Sequence, residues 1–296
     1  MIRVFAAILT CSIFSGTAIA ANPWEKFDSP SSGPASSIGS YANGCLVGGE
    51  ALPLEGDGYQ VIRTSRERYY AHPMMIDYLV ELAKENKRLG NGDLLIGDMS
   101  MPRGGRFTSG HSSHQTGLDA DIWLRIGDKQ YSRKARENLS PYNVVDMQNY
   151  KIKAQKWTNE HAQIVQLAAS DKRVSRIFVH PVIKETLCKA DWPEGRDWLR
   201  KVRPWFGHNY HMHVRLHCPR GDESCTPQAA PPAGDGCGKE LYSWWPKPKT
   251  EQEKKKEQEQ LLLAKSTTTK PAKPVYKDQL KLKPLRCQDL VTGNLN

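Results

Sequence analysis

Two segments of this chain alternate apolar and polar residues without a break, and both carry metal-competent side chains on the polar side. In positions 118–125, Leu118, Ala120, Ile122 and Leu124 point one way, while Asp119, Asp121, Trp123 and Arg125 point the other. In positions 210–217, Met212, Val214 and Leu216 alternate with His211, His213, Arg215 and His217. A period of two is that of a strand with one buried face. If the two strands share a sheet, Asp121, His211 and His213 face the same side of it. The expected core therefore lies under one face of the sheet, and the chemistry on the other.

The remaining pattern adds helices. Met75, Leu79, Leu82 and Leu89 recur at roughly helical spacing between positions 73 and 89, with Gly90 as a stop. Leu94, Leu95 and Ile96 read as a short buried strand leading into the turn Arg103-Gly104-Gly105-Arg106. A second helix starts at Thr158, whose hydroxyl can cap the first turn, and carries His161, Ile164, Val165 and Ala168 inward. Positions 174–179 read as a further strand. The fold class is α+β.

Compartment follows from the first twenty residues, where Arg3 precedes an apolar run and the small-residue pattern Ala18-Ile19-Ala20. Positions 1–20 read as a signal peptide cut before Ala21, too short for a spanning helix. A lipoprotein reading centred on Cys11 would need a longer apolar segment before that cysteine. No later segment is apolar for long enough to cross a bilayer, so no stable membrane insertion is expected. Setting Cys11 aside leaves six cysteines, Cys45, Cys188, Cys218, Cys225, Cys237 and Cys287, an even set suited to an oxidising compartment. Six cysteines allow 15 pairings. The competing zinc-ribbon reading lacks paired C-x-x-C knuckles, so disulfides are favoured.

The formal net charge is +10, and much of the excess lies in a lysine-rich C-terminal stretch. In an exported protein it points to anionic wall polymer before nucleic acid, and no nucleic-acid partner is expected. The organisation read from composition is a flexible N-terminal segment at 21–44, a catalytic domain at 45–245, a Lys/Pro-rich linker at 246–284 and a C-terminal segment at 285–296 tied down by Cys287. Within the linker, positions 251–265 can form a transient helix.

The histidines cluster: His111 and His114 shortly precede Asp121, and His208, His211, His213 and His217 fall together near the end of the domain. A catalytic zinc site needs deprotonated nitrogen and oxygen donors converging tetrahedrally, with one position open to water. A lone His or Asp on a strand is usually a surface or hydrogen-bonded group. An H-x6-D followed by H-x-H is rarer, and two independent periodicities place its strand donors on the polar face.

The stretch from Ser109-Gly110-His111 through His114 and Gly117-Leu118-Asp119-Ala120-Asp121 resembles the penicillin-insensitive murein endopeptidase family. Leu95-Ile96-Gly97-Asp98 and Gly104-Gly105-Arg106-Phe107 before it, and Trp205-Phe206 to His211-Met212-His213-Val214-Arg215 after it, extend the likeness. The wider group includes lysostaphin-type and D-alanyl-D-alanine metallopeptidases. The resemblance implies a small antiparallel sheet flanked by helices and loops, carrying Zn2+ on one face through His114, Asp121 and His213, with His111 as a further candidate ligand. It implies periplasmic cleavage of D-alanyl to meso-diaminopimelyl cross-bridges, so the partner is the cross-linking peptide of peptidoglycan. It further implies disulfides joining Cys45 with Cys287, Cys188 with Cys237, and Cys218 with Cys225.

The chain departs from the family between positions 132 and 156. Relatives can offer an Asp and a His to a second metal there, but here Asp146 is followed by Met147-Gln148-Asn149 without a nearby histidine.

Zinc would activate water directly, without the nucleophilic serine that β-lactams acylate. With no H-E-x-x-H helix, the proton shuttle falls to a histidine: His211 first as general base, His208 next as its partner or as oxyanion stabiliser. His72, His161, His180 and His217 read as surface or structural. Arg106, and less so Arg63 and Arg103, could pair with substrate carboxylates. The alternatives are a D,D- or L,D-carboxypeptidase using the same metal set, and a non-catalytic wall-binding module. The complete donor set argues against the latter. The sequence leaves open whether the chain forms a homodimer.

Overall fold

The computed structural model describes residues 22–108, 110–247, 250–266 and 283–295. The expected signal peptide at 1–20 and much of the linker lie outside the described residues. Strands β1 (Ser36–Ser40), β2 (Asn43–Val47), β3 (Glu50–Ala51), β4 (Glu55–Gly56), β5 (Tyr59–Val61) and β6 (Tyr70–Ala71) precede helix α1 (Pro73–Arg88). Next come β7 (Asp93–Ile96), β8 (Asp119–Gly127), α2 (Arg133–Asn138), β9 (Val145–Asp146), β10 (Lys151–Ile152), α3 (Asn159–Ser170), β11 (Val174–Val179) and α4 (Pro181–Lys189). The chain ends with β12 (Val202–Pro204), β13 (His211–Leu216), α5 (Lys239–Tyr242), α6 (Glu251–Ser266) and α7 (Leu285–Thr292).

The α+β class stands, and the sheet is larger than the small antiparallel one expected. Seven strands align in the order β12, β11, β13, β8, β7, β5, β4. The central pairings β11/β13, β13/β8 and β8/β7 are antiparallel, whereas β11/β12 and β5/β7 are parallel. The two alternating segments are direct neighbours at its centre, β8 against β13.

Their apolar residues, Leu118, Ala120, Ile122, Leu124, Met212, Val214 and Leu216, enter one core with residues of three helices. Met75, Tyr78, Leu79 and Leu82 of α1, Ile164, Val165 and Ala168 of α3, and Val182, Ile183 and Leu187 of α4 cover that face. Full burial of each Leu, Ile, Val or Met side chain among them is worth roughly 1.5–3 kcal/mol, which fixes the register of the two strands because a one-residue slip would turn a strand's apolar residues outward. Helix α1 ends one residue earlier than the spacing suggests. Leu89 is its C-cap and is exposed, because it follows the last turn, and Gly90 then takes a positive φ of 83°.

Three of the four histidines that read as surface or structural have definite structural work. His72 and His180 accept hydrogen bonds from Met74 N and Val182 N at the starts of α1 and α4, and each precedes a proline at the first helical position. His161 Nδ1 accepts the backbone N–H of Thr158 at 3.1 Å, and its Nε2 bonds the Leu124 carbonyl at 2.8 Å. His217 is exposed.

Residues 22–44 are not the flexible approach that their composition suggests. Trp24 is 2% exposed, Ser36–Ser40 pairs along its length with Asn43–Val47, and Ser37 Oγ donates to the Thr116 carbonyl at 2.8 Å. The missing regularity in the sequence is supplied from outside, by a second core in which Trp24, Ile38, Cys45, Val47, Met101 and Phe107 meet Cys287 and Leu290 of α7. Disulfides join Cys45 to Cys287, Cys188 to Cys237 and Cys218 to Cys225. These are the pairings that the resemblance implies.

The first of these bridges spans a sequence separation of 242 residues. In the chain-entropy model, closing so long a loop contributes about 5 kcal/mol. Cys287→Ser is therefore expected to lower the melting temperature by roughly 10 °C or more under non-reducing conditions. Calorimetry checks this, and an unchanged transition would show that the second core holds the tail without the bridge.

Candidate metal centre

The polar face of the central strand pair is where the expected site residues meet. In the β8/β13 register His213 lies opposite Asp121, Arg215 opposite Asp119, and His211 opposite Trp123. Facing residues on adjacent antiparallel strands put their side chains on the same side, with Cβ atoms about 5 Å apart. The H-x-H-x-R and D-x-D patterns thus interlock across one seam.

The remaining donors come from the loop before β8. His114 sits at a φ of 67°, a left-handed conformation that costs a non-glycine residue on the order of 1–3 kcal/mol. Its backbone N–H donates to Asp119 Oδ2 at 3.0 Å, and Gln115 next to it donates through Nε2 to the carbonyls of Ala42 and Ser112. Phe107 stacks on the His114 ring at 5.7 Å. The strained turn is held from several sides, and it brings His111 and His114 over the strand pair.

His111 Nε2 lies 3.0 Å from Asp121 Oδ2, His114 Nε2 3.4 Å from Asp121 Oδ1, and His213 Nδ1 3.2 Å from Asp121 Oδ1. One donor atom from each of His111, His114, Asp121 and His213 falls within 4.8 Å of all the others. His211 Nε2 stands slightly farther off, 3.7 Å from Asp121 Oδ1. His208 packs against His211 with ring centroids 4.7 Å apart, and its Nδ1 is 3.0 Å from the Phe206 carbonyl.

The donor set fits a cation. Among the described residues, both ring nitrogens of His114, both of His211 and Asp121 Oδ1 are buried without a hydrogen-bond partner. Leaving such groups unsatisfied costs about 1–3 kcal/mol apiece. The His111 imidazole is drawn up by Asp121, but burial and the rings of His114, His213 and His211 prevail and bring it down to about 4. Burial also pushes His211 down, against the pull of Asp121, and pushes His208 down to about 3. Burial would raise the Asp121 carboxyl, yet the imidazoles of His211, His111 and His114 hold it well below the usual range. Burial works against the charge of His213, but Asp119 and Asp121 hold that imidazole above its ordinary range. A buried carboxylate ringed by imidazole nitrogens, several of them without a hydrogen-bond partner, is a donor set that a divalent ion satisfies.

Asp119 is the site residue to which the sequence pattern assigned no role. It is fully buried, with Oδ1 2.7 Å from Arg215 Nε and 2.9 Å from His213 Nε2. Burial alone would raise its carboxyl, but Arg215 and His213 keep it well below the ordinary carboxylate range. As an acceptor only, it fixes a proton on His213 Nε2 and leaves Nδ1 free to face Asp121. The signal was present in the sequence: Asp119 and Arg215 share the polar faces with Asp121 and His213.

Above the donors opens a cleft of about 450 Å³, lined among others by His111, Ser112, Arg176, Phe178, Trp205 and His208. Arg106 does not line this cleft; its carbonyl accepts from Asn22 Nδ2. Arg63 and Arg103 lie over the rings of Trp123 and Phe27. Asp146 stands apart from the donor group, its carboxylate accepting from the backbone of Gln148 and Asn149 and from Asn149 Nδ2.

Residues 37–292 match the family penicillin-insensitive murein endopeptidase. The chain belongs to this family. A penicillin-insensitive murein endopeptidase of Haemophilus influenzae is 48% identical over 246 residues, covering 82% of this chain and 86% of that protein. One from Klebsiella pneumoniae strain 342 is 47% identical over 241 residues, 81% of this chain and 88% of the relative. One from Salmonella paratyphi B is 46% identical over 244 residues, 82% and 89% respectively. The match thus takes in both central strands, the histidine loop and α7.

Asp119→Asn is expected to weaken divalent-metal binding about 10- to 100-fold, as loss of a partner orienting a ligand does, and to destabilise the fold through the unpaired Arg215. Competition with a chromogenic chelator measures the first effect and thermal melting the second. Wild-type metal affinity in the variant would show that His213 is oriented by other contacts.

Proposed function

We propose that this chain is a zinc-dependent endopeptidase of the bacterial periplasm, exported by a signal peptide at positions 1–20. It hydrolyses the D-alanyl to meso-diaminopimelyl cross-bridges of murein. The observation that supports this reading most is the convergence of His111, His114, Asp121 and His213 on one buried point under an open cleft, in a chain of a murein endopeptidase family. His114, Asp121 and His213 are the proposed ligands, with His111 able to join them. Zinc bound there supplies a Lewis acid that polarises a carbonyl and lowers the pKa of water toward about 7.

The protein's own residues do the rest. Asp119 keeps the proton on His213 Nε2, so that Nδ1 is presented as a donor. His211, buried and neutral beside Asp121, is the base that takes a proton from the attacking water. His208, on the rim of the cleft and in ring contact with His211, stands where it can steady a developing oxyanion or relay that proton. No serine or cysteine nucleophile is called on, which accounts for indifference to β-lactams. Among the described residues no helix is long and apolar enough to cross a membrane. The disulfides suit an extracytoplasmic setting.

Mass analysis of purified cross-linked muropeptide dimers, digested with and without a chelator, tests the activity. Monomers that fail to form when the chelator is present are the expected result. Shortened stem peptides would instead mark a carboxypeptidase. His114→Ala, Asp121→Ala and His213→Ala should each lose bound zinc and activity while remaining folded. His211→Ala should keep most of the metal yet turn over about 100-fold more slowly or worse, the scale of an acid/base group. If His211→Ala lost the metal as completely as the other three, it would have to be reassigned as a ligand.

A further inference from the structure

Strand β11 carries an irregularity that points to a second recognition element in the cleft. Val174 pairs with Leu216, but Arg176 pairs with Arg215, so the register shifts by one residue around Ser175. Strict alternation would put Val174, Arg176 and Phe178 on one face. The bulge instead lets Val174 enter the core beside Ile177 and Val179, while Arg176 and Phe178 turn to the polar face opposite Arg215 and His213. Bulges next to functional sites commonly re-aim a side chain in this way.

Arg176 therefore sits one strand across and two residues along from His213. From strand spacing and rise, the Cα atoms are about 8 Å apart, roughly the reach of two peptide units. Arg176 lines the cleft together with His111, Ser112, Ser113, His208 and Gln228, and among the described residues no Asp or Glu lines it. Its neighbour Arg215 is already committed, through Nε to Asp119 and through Nη1 to Gln228. Arg176 donates through Nη2 to the Ala229 carbonyl, and among the described residues no carboxylate pairs with it and its buried Nε has no partner. Burial and the adjacent Arg215 both work against its charge. A guanidinium with no carboxylate partner among the described residues, on the wall of that cleft, is prepared for an anion.

We infer that Arg176 is a substrate-binding residue forming a carboxylate subsite, which seats an ionised carboxyl group of the substrate peptide next to the bond that is cut. The inference rests on the endopeptidase reading above and names what the cleft recognises beyond the scissile amide. A planar guanidinium matches a carboxylate through paired N–H donors, and Ser112 and Ser113 border the same space. The subsite would favour peptides whose carboxyl groups near the cross-link are free over those in which they are amidated.

The test compares a cross-linked muropeptide dimer bearing free diaminopimelyl carboxyls with the same dimer amidated there. Both affinity, by calorimetric titration, and steady-state hydrolysis are measured. The wild-type protein should bind the acid at least about 10-fold more tightly than the amide, the scale of a hydrogen bond to a charged group. Arg176→Gln should lower affinity for the acid to that for the amide while leaving the amide unchanged. Arg176→Lys should recover part of the preference, with the effect falling on KM more than on kcat. Equal affinity of the wild-type protein for acid and amide, or equal weakening of both by Arg176→Gln, would overturn the subsite. If neither dimer were cut and the Arg176-dependent preference in binding persisted, the subsite would stand and the endopeptidase reading would fall.

Discussion

The antiparallel pairing of β8 with β13 is the constraint on which the rest of the structure depends. It does two jobs with one register. On one face it lines up Ala120 with Val214 and Ile122 with Met212 for the helices to cover. On the other it sets Asp121 against His213 and Asp119 against Arg215. A slip by one residue would bury the carboxylates in the apolar core and turn the apolar residues toward the cleft, at several kcal/mol for each ion. Core packing thus fixes the site geometry, and no separate device is needed to align the two strands.

Within that frame, the buried charges are arranged in an order that explains their separate roles. Asp119 is satisfied by protein groups alone, Arg215, His213 and the His114 backbone N–H. Asp121 is surrounded by imidazoles and keeps an oxygen without a hydrogen bond. Two carboxylates two residues apart on one strand are therefore unequal. One is structural and orients His213, while the other faces the space where a cation fits.

The strands and the donors on them were legible because a period of two is a local property that no distant contact alters. Asp121, His211 and His213 could be placed on one face from sequence alone. Less was legible where the outcome depends on partners far along the chain. The left-handed turn at His114 relies on Asp119 and on Gln115 reaching Ala42, and nothing in Ser112-Ser113-His114 announces it. Residues 22–44 look loose because their Ser, Gly and Pro content is high, and they are ordered by a second core completed some 240 positions later, at Cys287. The mixed sheet escaped notice because β5 and β12 each have only three residues, too short for periodicity to speak. At Ser175 a bulge breaks alternation, so the polar-face position of Arg176 could be read only from pairing.

That second core also ties the tail to the site, a coupling that a purely sheet-based view of the ligands misses. Cys287 and Leu290 pack with Phe107, and Phe107 stacks on His114. Lys283, just before α7, donates to Gln115 Oε1, and the same Gln115 accepts from Gly44 N and holds Ser112 through Nε2. Asp121 and His213 are fixed by the central strands, but His111 and His114 sit on a loop whose underside is made by residues from both ends of the domain. The two halves of the donor set therefore differ in mechanical support: the strand half is as stable as the main core, and the loop half only as stable as the small core closed by the Cys45–Cys287 bridge. Opening that bridge would loosen the loop donors before the strand donors, so metal affinity would fall while the sheet stayed intact.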